Sequence, residues 1–147
     1  MIFLWLLFFM PHLNVEIKAT CSDPNLVRQY LLLHNANFKG TDVQTDTYFN
    51  VPNGRLKLRE GIIENNLIFY IRENQPGPKS SHFHLVKVIN PKELKEVLEK
   101  SCGVKMVVKK QREIYYIENV KFHIDEVREL GSFVEIEAGN ILADKTE

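Results

Sequence analysis

The chain has 147 residues, 19 basic and 19 acidic side chains, and a formal net charge of zero. This length suits one domain with a hydrophobic core, and the balanced charge argues against a surface that coats nucleic acid or an anionic membrane. The two cysteines, Cys21 and Cys102, lack metal-ligand spacing. They argue against a disulfide framework or structural zinc, and we expect free thiols.

Residues 1–10 (MIFLWLLFFM) are almost wholly apolar. The segment is too short to span a bilayer, and it has neither a basic start nor a small-residue cleavage site before the first predicted strand at Asn14. We therefore interpret residues 1–13 as a non-structural extension, with a membrane-directing segment as the alternative, and residues 14–147 as the domain. We expect a cytoplasmic protein without stable membrane insertion.

The first half of the domain reads as strands around one helix. Asp23-Pro24, a capping residue followed by proline, predicts a helix from Asn25 to His34. Asn35 to Gly40 is predicted to be a turn, and Asn74 to Ser81 a flexible loop that carries Lys79. The predicted strands are Asn14–Thr20, Thr45–Asn50, Arg55–Arg59 and Leu67–Glu73.

The second half is likewise predicted to contain strands and one helix. A strand is predicted from Phe83 to Val88, and Asn90-Pro91 predicts a helix from Pro91 to Cys102 that stops at Gly103. Three further strands follow, at Lys105–Ile117, Val120–Val127 and Phe133–Glu137. About eight strands, mostly in antiparallel succession, and two helices are therefore predicted.

Charge is concentrated on single faces of these strands. In the segment Arg55-Leu56-Lys57-Leu58-Arg59, a period of two places three cations on one face and two leucines on the other. Four other strands repeat the pattern, with Glu16 and Lys18, Arg72, Lys110 and Arg112, and Glu135 and Glu137. His123 and Asp125 also share a face. Solvated faces of ordinary strands are the alternative, but the agreement favours a curled sheet whose charged faces line a lumen for a small anion.

Six motifs in fixed order support this interpretation: N-V-E-I-K, D-T-Y-F, L-K-L-R-E, Y-I-R-E with G-P-K-S, K-K-Q-R-E, and H-I-D-E-V with F-V-E-I-E. The chain thereby resembles the CYTH superfamily, the triphosphate tunnel metalloenzymes, over about Asn14 to Glu137. The resemblance implies an α+β fold in which an antiparallel eight-stranded tunnel-like β-barrel is flanked by helices. It also implies a metal-dependent site inside the tunnel.

The resemblance assigns roles to single positions. It implies that Lys18 contacts phosphate or helps to activate the attacking group. The implied phosphate-binding cations are Lys57, Arg59, Arg72, Lys79, Lys110 and Arg112. The implied metal-side carboxylates, for Mg²⁺ or Mn²⁺, are Glu16, Asp125, Glu135 and Glu137.

Two features depart from the family pattern. Asn14 stands where the family's E-x-E-x-K motif has its first glutamate, which keeps an oxygen ligand but removes one negative charge. The chain also ends ten residues after Glu137, whereas the family continues with further helical and closing segments. We therefore expect the closing segment to be missing and apolar side chains to be exposed near that end.

The resemblance leaves three functions open. The first is a metal-dependent phosphohydrolase of a small triphosphate, inorganic or thiamine triphosphate. The second is a class IV-type adenylyl cyclase that makes cyclic AMP from ATP, and the third is a non-catalytic triphosphate- or polyphosphate-binding module. The partner expected in each case is a small triphosphate and not a nucleic acid. The sequence does not predict an oligomeric state.

Overall fold

The computed structural model describes residues 12–72 and 79–139. Two helices, α1 (Pro24–Leu33) and α2 (Pro91–Cys102), interrupt a succession of strands. The strands in chain order are β1 (His12–Thr20), β2 (Asn37–Phe49), β3 (Arg55–Glu60), β4 (Asn66–Arg72), β5 (Lys79–Lys87), β6 (Val104–Ile117), β7 (Val120–Val127) and β8 (Gly131–Gly139).

The eight strands form a closed barrel in the order β1-β5-β4-β3-β2-β6-β7-β8. All neighbours are antiparallel, and β8 completes the ring by pairing with β1, from Asn14 opposite Gly139 to Thr20 opposite Phe133. The predicted α+β class and tunnel-like barrel are thus confirmed. Among the described residues, the pairing of β8 with β1 closes the barrel.

The strands β2 and β5 begin well before their predicted first residues. Residues 37–40, predicted to be a turn, open β2, which pairs with β6 along its whole length and is irregular only between Phe38 and Gly40 and between Tyr48 and Phe49. Gly40 has a φ of 124°, a conformation that glycine adopts without steric cost. Likewise, Lys79 to Ser81 belong to β5 and not to a loop, because they pair with β1 and so overcome their loop-like local composition.

The helices lie outside the barrel and cover only part of it. Asp23 caps α1 by accepting a hydrogen bond from the Asn25 N–H (3.0 Å), and Leu31 of this helix is fully buried. On β1, which pairs with β8, Val15 and Ile17 are exposed. No helix in the described ranges is both long and apolar enough to cross a membrane.

The interior of the barrel is polar. Among the described residues, eleven polar or charged side chains are buried, whereas six hydrophobic side chains are. The larger set comprises Asp42, Gln44, Asp46, Thr47, Arg59, Asn66, Lys110, Arg112, His123, Asp125 and Glu135. Buried charges destabilise a fold unless they are paired. Their partners therefore define the candidate site.

Candidate functional site

A cavity of about 350 Å³ runs inside the barrel and is lined by charges of both signs. Alternation along each strand turns these side chains inward, as the sequence predicted. The lining includes the predicted site residues Glu16, Lys18, Lys57, Arg59, Arg72, Lys110, Arg112, Glu135 and Glu137. Asp125 is buried behind the lining, against Arg112. The side chain of Lys79 lies outside the described residues.

Two buried arginine–aspartate forks stand at the centre of the lumen. Arg112 donates from Nε and Nη2 to the two carboxylate oxygens of Asp125, both at 2.7 Å, and Arg59 holds Asp46 in the same way at 2.8 and 2.9 Å. Each pair consists of direct cross-strand neighbours. Burial alone raises the pKa of both carboxyl groups, but their arginines hold each pKa below its ordinary value. Both aspartates are therefore ionised.

Three lysines surround these forks. Lys57 Nζ lies 3.3 Å from Asp46, and Lys110 Nζ lies 3.6 Å from Asp46 and 3.8 Å from Asp125. Lys18 Nζ lies 3.3 Å from Glu135 and 3.8 Å from Asp125. Burial, followed by repulsion from the two arginines, lowers the pKa of Lys110 to about 7. Cations are thus concentrated in the middle of the lumen, close enough to grip one small anion.

Glu16 and Arg72 form a further ion pair on the wall, with 2.8 Å between Oε1 and Nη1. Glu16 is one of the four predicted metal-side carboxylates, and Asp125 is another. The structure places these two against arginines, and Glu135 also lies 3.5 Å from Arg112. Of the four, Glu135 and Glu137 belong to one cluster of possible metal ligands.

The third member of that cluster is His123. One ligand atom from each of His123, Glu135 and Glu137 lies within 4.8 Å of the others. His123 Nδ1 is 3.5 Å from Glu135 and 3.7 Å from Glu137, and neither ring nitrogen of this fully buried histidine makes a hydrogen bond to the described residues. One imidazole and two carboxylates are a donor set that suits a divalent transition-metal cation such as Mn²⁺, and the two carboxylates alone suit Mg²⁺.

The protonation of this cluster also suits a cation. Burial, then repulsion from Arg112, lowers the pKa of His123 to about 3, so the ring is neutral and able to act as a ligand. Burial and the neighbouring Glu135 raise the pKa of Glu137 to about 8. Burial alone raises the pKa of Glu135, but His123 and Arg112 hold it well below its ordinary value. The two carboxyl groups therefore share a proton that a bound cation would displace.

Sequence reasoning did not identify three charged residues of the lumen. Asp46 lies in the D-T-Y-F motif, and its alternation with the inward-facing Tyr48 is a signal that could have identified it. Glu64 and Lys121 form an ion pair of 2.6 Å across the lumen. Glu64 comes from a turn, and Lys121 is the second residue of β7. Period-two alternation with His123 and Asp125 is a signal that could have identified Lys121, whereas no periodicity marks Glu64.

One wall of the lumen is less charged. Ile68, Phe83 and Leu85 line it together with Tyr48 and Tyr70. The ammonium group of Lys57 lies over both tyrosine rings, 5.6 and 5.7 Å from their centroids. The cavity therefore offers apolar and aromatic surface beside its cationic surface.

The fold agrees with the comparisons with known proteins. The CYTH domain family model matches residues 12–144, and the chain belongs to this family. None of the curated proteins matches it significantly. Among solved structures, the PH1012 protein of Pyrococcus horikoshii OT3 has a TM-score of 0.75 at 24% identity, covering 85% of this chain and 77% of that chain.

Two other structures are similar to the chain at lower identity. The Hippeastrum protein HpAC1, which shows a dominant triphosphatase activity, has a TM-score of 0.63 at 15% identity, with coverage of 86% and 79%. The Schizosaccharomyces pombe RNA triphosphatase Pct1 has a TM-score of 0.57 at 11% identity, with coverage of 92% and 74%. Identities this low establish a shared fold.

Proposed function

We propose that this protein is a metal-dependent phosphohydrolase of a small triphosphate, bound inside the barrel. The supporting observation is that a cluster of the buried His123 and Glu135 with the half-buried Glu137 adjoins a concentration of lumen cations. Members of the CYTH family bind triphosphates and generally depend on a divalent cation.

The charge of the lumen supports a complex of triphosphate and metal. Among the described residues, seven basic side chains line the lumen: Lys18, Lys57, Arg59, Arg72, Lys110, Arg112 and Lys121. Six carboxyl groups oppose them, at Glu16, Asp46, Glu64, Asp125, Glu135 and Glu137. A triphosphate carries about four negative charges near neutral pH, so a divalent cation brings its complex to about minus two. A slightly positive lumen matches that charge.

The residues divide the work of phosphoryl transfer, which depends mainly on positioning and electrostatics. Lys57, Arg59, Arg72, Lys110 and Arg112, with Lys79 from β5, hold the phosphate oxygens. Lys18 stabilises charge on the terminal phosphate as water attacks its phosphorus. Glu135 and Glu137, with His123, would hold the cation, which would supply neutralisation of phosphate charge and orientation of the attacking water. Glu16 positions Arg72 and Asp125 positions Arg112 through the ion pairs that they form.

A second candidate is an adenylyl cyclase of the class IV type, which the apolar wall of the lumen favours. Tyr48, Tyr70 and Phe83 provide surface that would suit the base of ATP. In this reaction the ribose 3′-hydroxyl attacks the α-phosphorus and pyrophosphate leaves. The clamp of cations is the same for both reactions, so their products distinguish them.

The test is substitution of a carboxyl group that supports the metal. We expect Glu137→Gln to abolish release of orthophosphate from inorganic or thiamine triphosphate with Mg²⁺ or Mn²⁺, as EDTA does for the unaltered protein. Glutamine reproduces the protonated form of Glu137, so the fold is retained. The exposed Glu126 on β7 provides the matched control, because Glu126→Gln removes the same group outside the lumen and is expected to leave the rate unchanged.

The products decide between the candidate functions. Cyclic AMP and pyrophosphate from ATP would establish the cyclase. If the protein bound triphosphate but turned over none of these substrates with either metal ion, catalysis would be rejected and a binding module would remain. Undiminished hydrolysis by Glu137→Gln would contradict the proposed metal site.

A further inference from the structure

The turn between β3 and β4 lies at one end of the lumen. Its residues, 61–65, stand at the same end of the barrel as the turn between β6 and β7, because β3 and β6 both pair antiparallel with β2. Glu64 from the first turn reaches Lys121, just after the second, with 2.6 Å between Oε1 and Nζ. A side chain from one wall thus crosses this end to the opposite wall.

A buried aspartate fixes the position of the turn. Asp42 of β2 is fully buried and accepts hydrogen bonds from three successive backbone N–H groups, those of Ile62 (2.6 Å), Ile63 (2.9 Å) and Glu64 (2.9 Å). Gln44 also donates to Asp42, at 2.8 Å. This arrangement is preorganised, so Glu64 has little freedom to leave the lumen by movement of its backbone.

Gly61 makes room for the Asp42 carboxylate. A Cβ atom at position 61 would lie 2.6 Å from Asp42 Oδ2 and 2.7 Å from the Glu64 carbonyl oxygen. We therefore expect Gly61→Ala to lower the urea concentration at the midpoint of unfolding, because the added methyl group overpacks this contact. Ile62→Ala, at an exposed position of the same turn, serves as the control and should leave the midpoint almost unchanged. Equal midpoints for the two variants would show that position 61 has room for a side chain.

The carboxylate of Glu64 takes the place of an anionic ligand. It accepts from Arg59 Nη1 at 3.0 Å and from Gln44 Nε2 at 3.2 Å, besides Lys121. Burial alone raises the pKa of Glu64, but Lys121 and Arg59 lower it to about 2, so the group is ionised. Glu64 binds Arg59 through Nη1, which Asp46 leaves available. It also neutralises the charge of Lys121 at this end of the lumen.

We propose that Glu64 is a specificity-determining residue that limits the phosphate chain in the lumen to three phosphates. This inference rests on the proposed function. A fourth phosphate, extending past Arg59 towards Lys121, would bring its oxygens against the Glu64 carboxylate, and two anions in a poorly solvated site repel strongly. A triphosphate is held by Lys18, Lys57, Arg72, Lys110, Arg112 and the remaining N–H groups of Arg59, and needs no contact with Lys121 or Glu64.

The inference is tested by the affinities of the full chain for inorganic triphosphate and inorganic tetraphosphate, measured by titration calorimetry with EDTA and with Mg²⁺. We expect the unaltered protein to prefer triphosphate. Glu64→Gln should raise the affinity for tetraphosphate about tenfold or more, equivalent to about 1.4 kcal/mol, and the affinity for triphosphate by less than about threefold. The variant keeps the backbone N–H group that donates a hydrogen bond to Asp42, so the turn stays in place.

Glu60→Gln is the matched control for a simple change in net charge. Glu60 is the last residue of β3 at the same end, but it pairs with Lys95 of α2 at 3.1 Å and does not line the lumen. We expect this variant to change both affinities equally, and by less than about twofold. An unaltered preference for triphosphate in Glu64→Gln, or no preference in the unaltered protein, would overturn the inference alone. Failure of the unaltered protein to bind either anion in both conditions would overturn the proposed function as well.

Discussion

Replacing Arg112 by methionine is expected to lower the free energy of unfolding by about 3–5 kcal/mol, the typical cost of removing one partner of a buried ion pair. Asp125 is fully buried and receives two hydrogen bonds from this guanidinium. Without them its charge remains in the barrel with only two lysines at 3.8 Å. Urea denaturation of the unaltered and substituted proteins measures the loss.

Two further variants make this prediction specific. Arg128→Met removes an exposed arginine and should change stability by no more than about 0.5 kcal/mol. In the double variant Arg112→Met/Asp125→Asn, the buried charge is gone, so the loss should be smaller than the sum of the two single losses by about 0.5–3 kcal/mol. Additive losses would show that Arg112 and Asp125 contribute independently.

The stability of the metal-free protein is expected to depend on pH through Glu137. Its pKa is raised from an ordinary value of 4.5 to about 8 by burial and by Glu135. The folded protein thus holds a proton that the unfolded chain releases. This contribution to stability is fully present below pH 4.5 and is lost as pH rises towards 8.

The comparison with Glu137→Gln isolates this effect, because glutamine cannot ionise. From pH 5 to pH 8, the unaltered protein should lose stability relative to the variant by a few kcal/mol, at about 1.4 kcal/mol for each unit of raised pKa. Urea denaturation at several pH values in EDTA measures the difference. A difference that stays constant with pH would show that the pair does not hold a proton.

His123 has the opposite pH dependence. Its pKa is lowered from 6.5 to about 3, first by burial and then by Arg112. Its contribution is therefore present above pH 6.5 and decreases as pH falls towards 3. Taken together, the contributions of His123 and Glu137 to the stability of the metal-free protein are greatest between about pH 4.5 and pH 6.5.

Strand alternation is the reason that the lumen could be predicted. A period of two is a local property, so the inward positions of Lys57 and Arg59, or of Glu135 and Glu137, follow as soon as each strand is recognised. The limits of α2 were also predicted, because proline at the first turn and Gly103 at the end are local signals. Burial of the charged face had to be inferred from agreement among several strands.

The partners of these charges could not be predicted, because they depend on which strands become neighbours. β2 pairs with β6, far along the chain, and this places Lys110 beside Asp46. Glu64 enters the lumen from a turn whose position depends on the buried Asp42. Likewise, His123 lies beside Glu135 because the two are cross-strand neighbours in the barrel. The sequence around either residue does not predict this pairing.

The pairing of β1 with β8 has a consequence for how the chain folds. The first strand has no partner among the strands that directly follow it, and its neighbours in the ring are β5 and β8. Such distant pairings are slow to form, since the intervening chain must be ordered first. Lys18 and Glu135 face each other across the β1–β8 contact. We therefore expect the barrel to close late in folding, with the edges of β1 and β8 open to association with other chains until then.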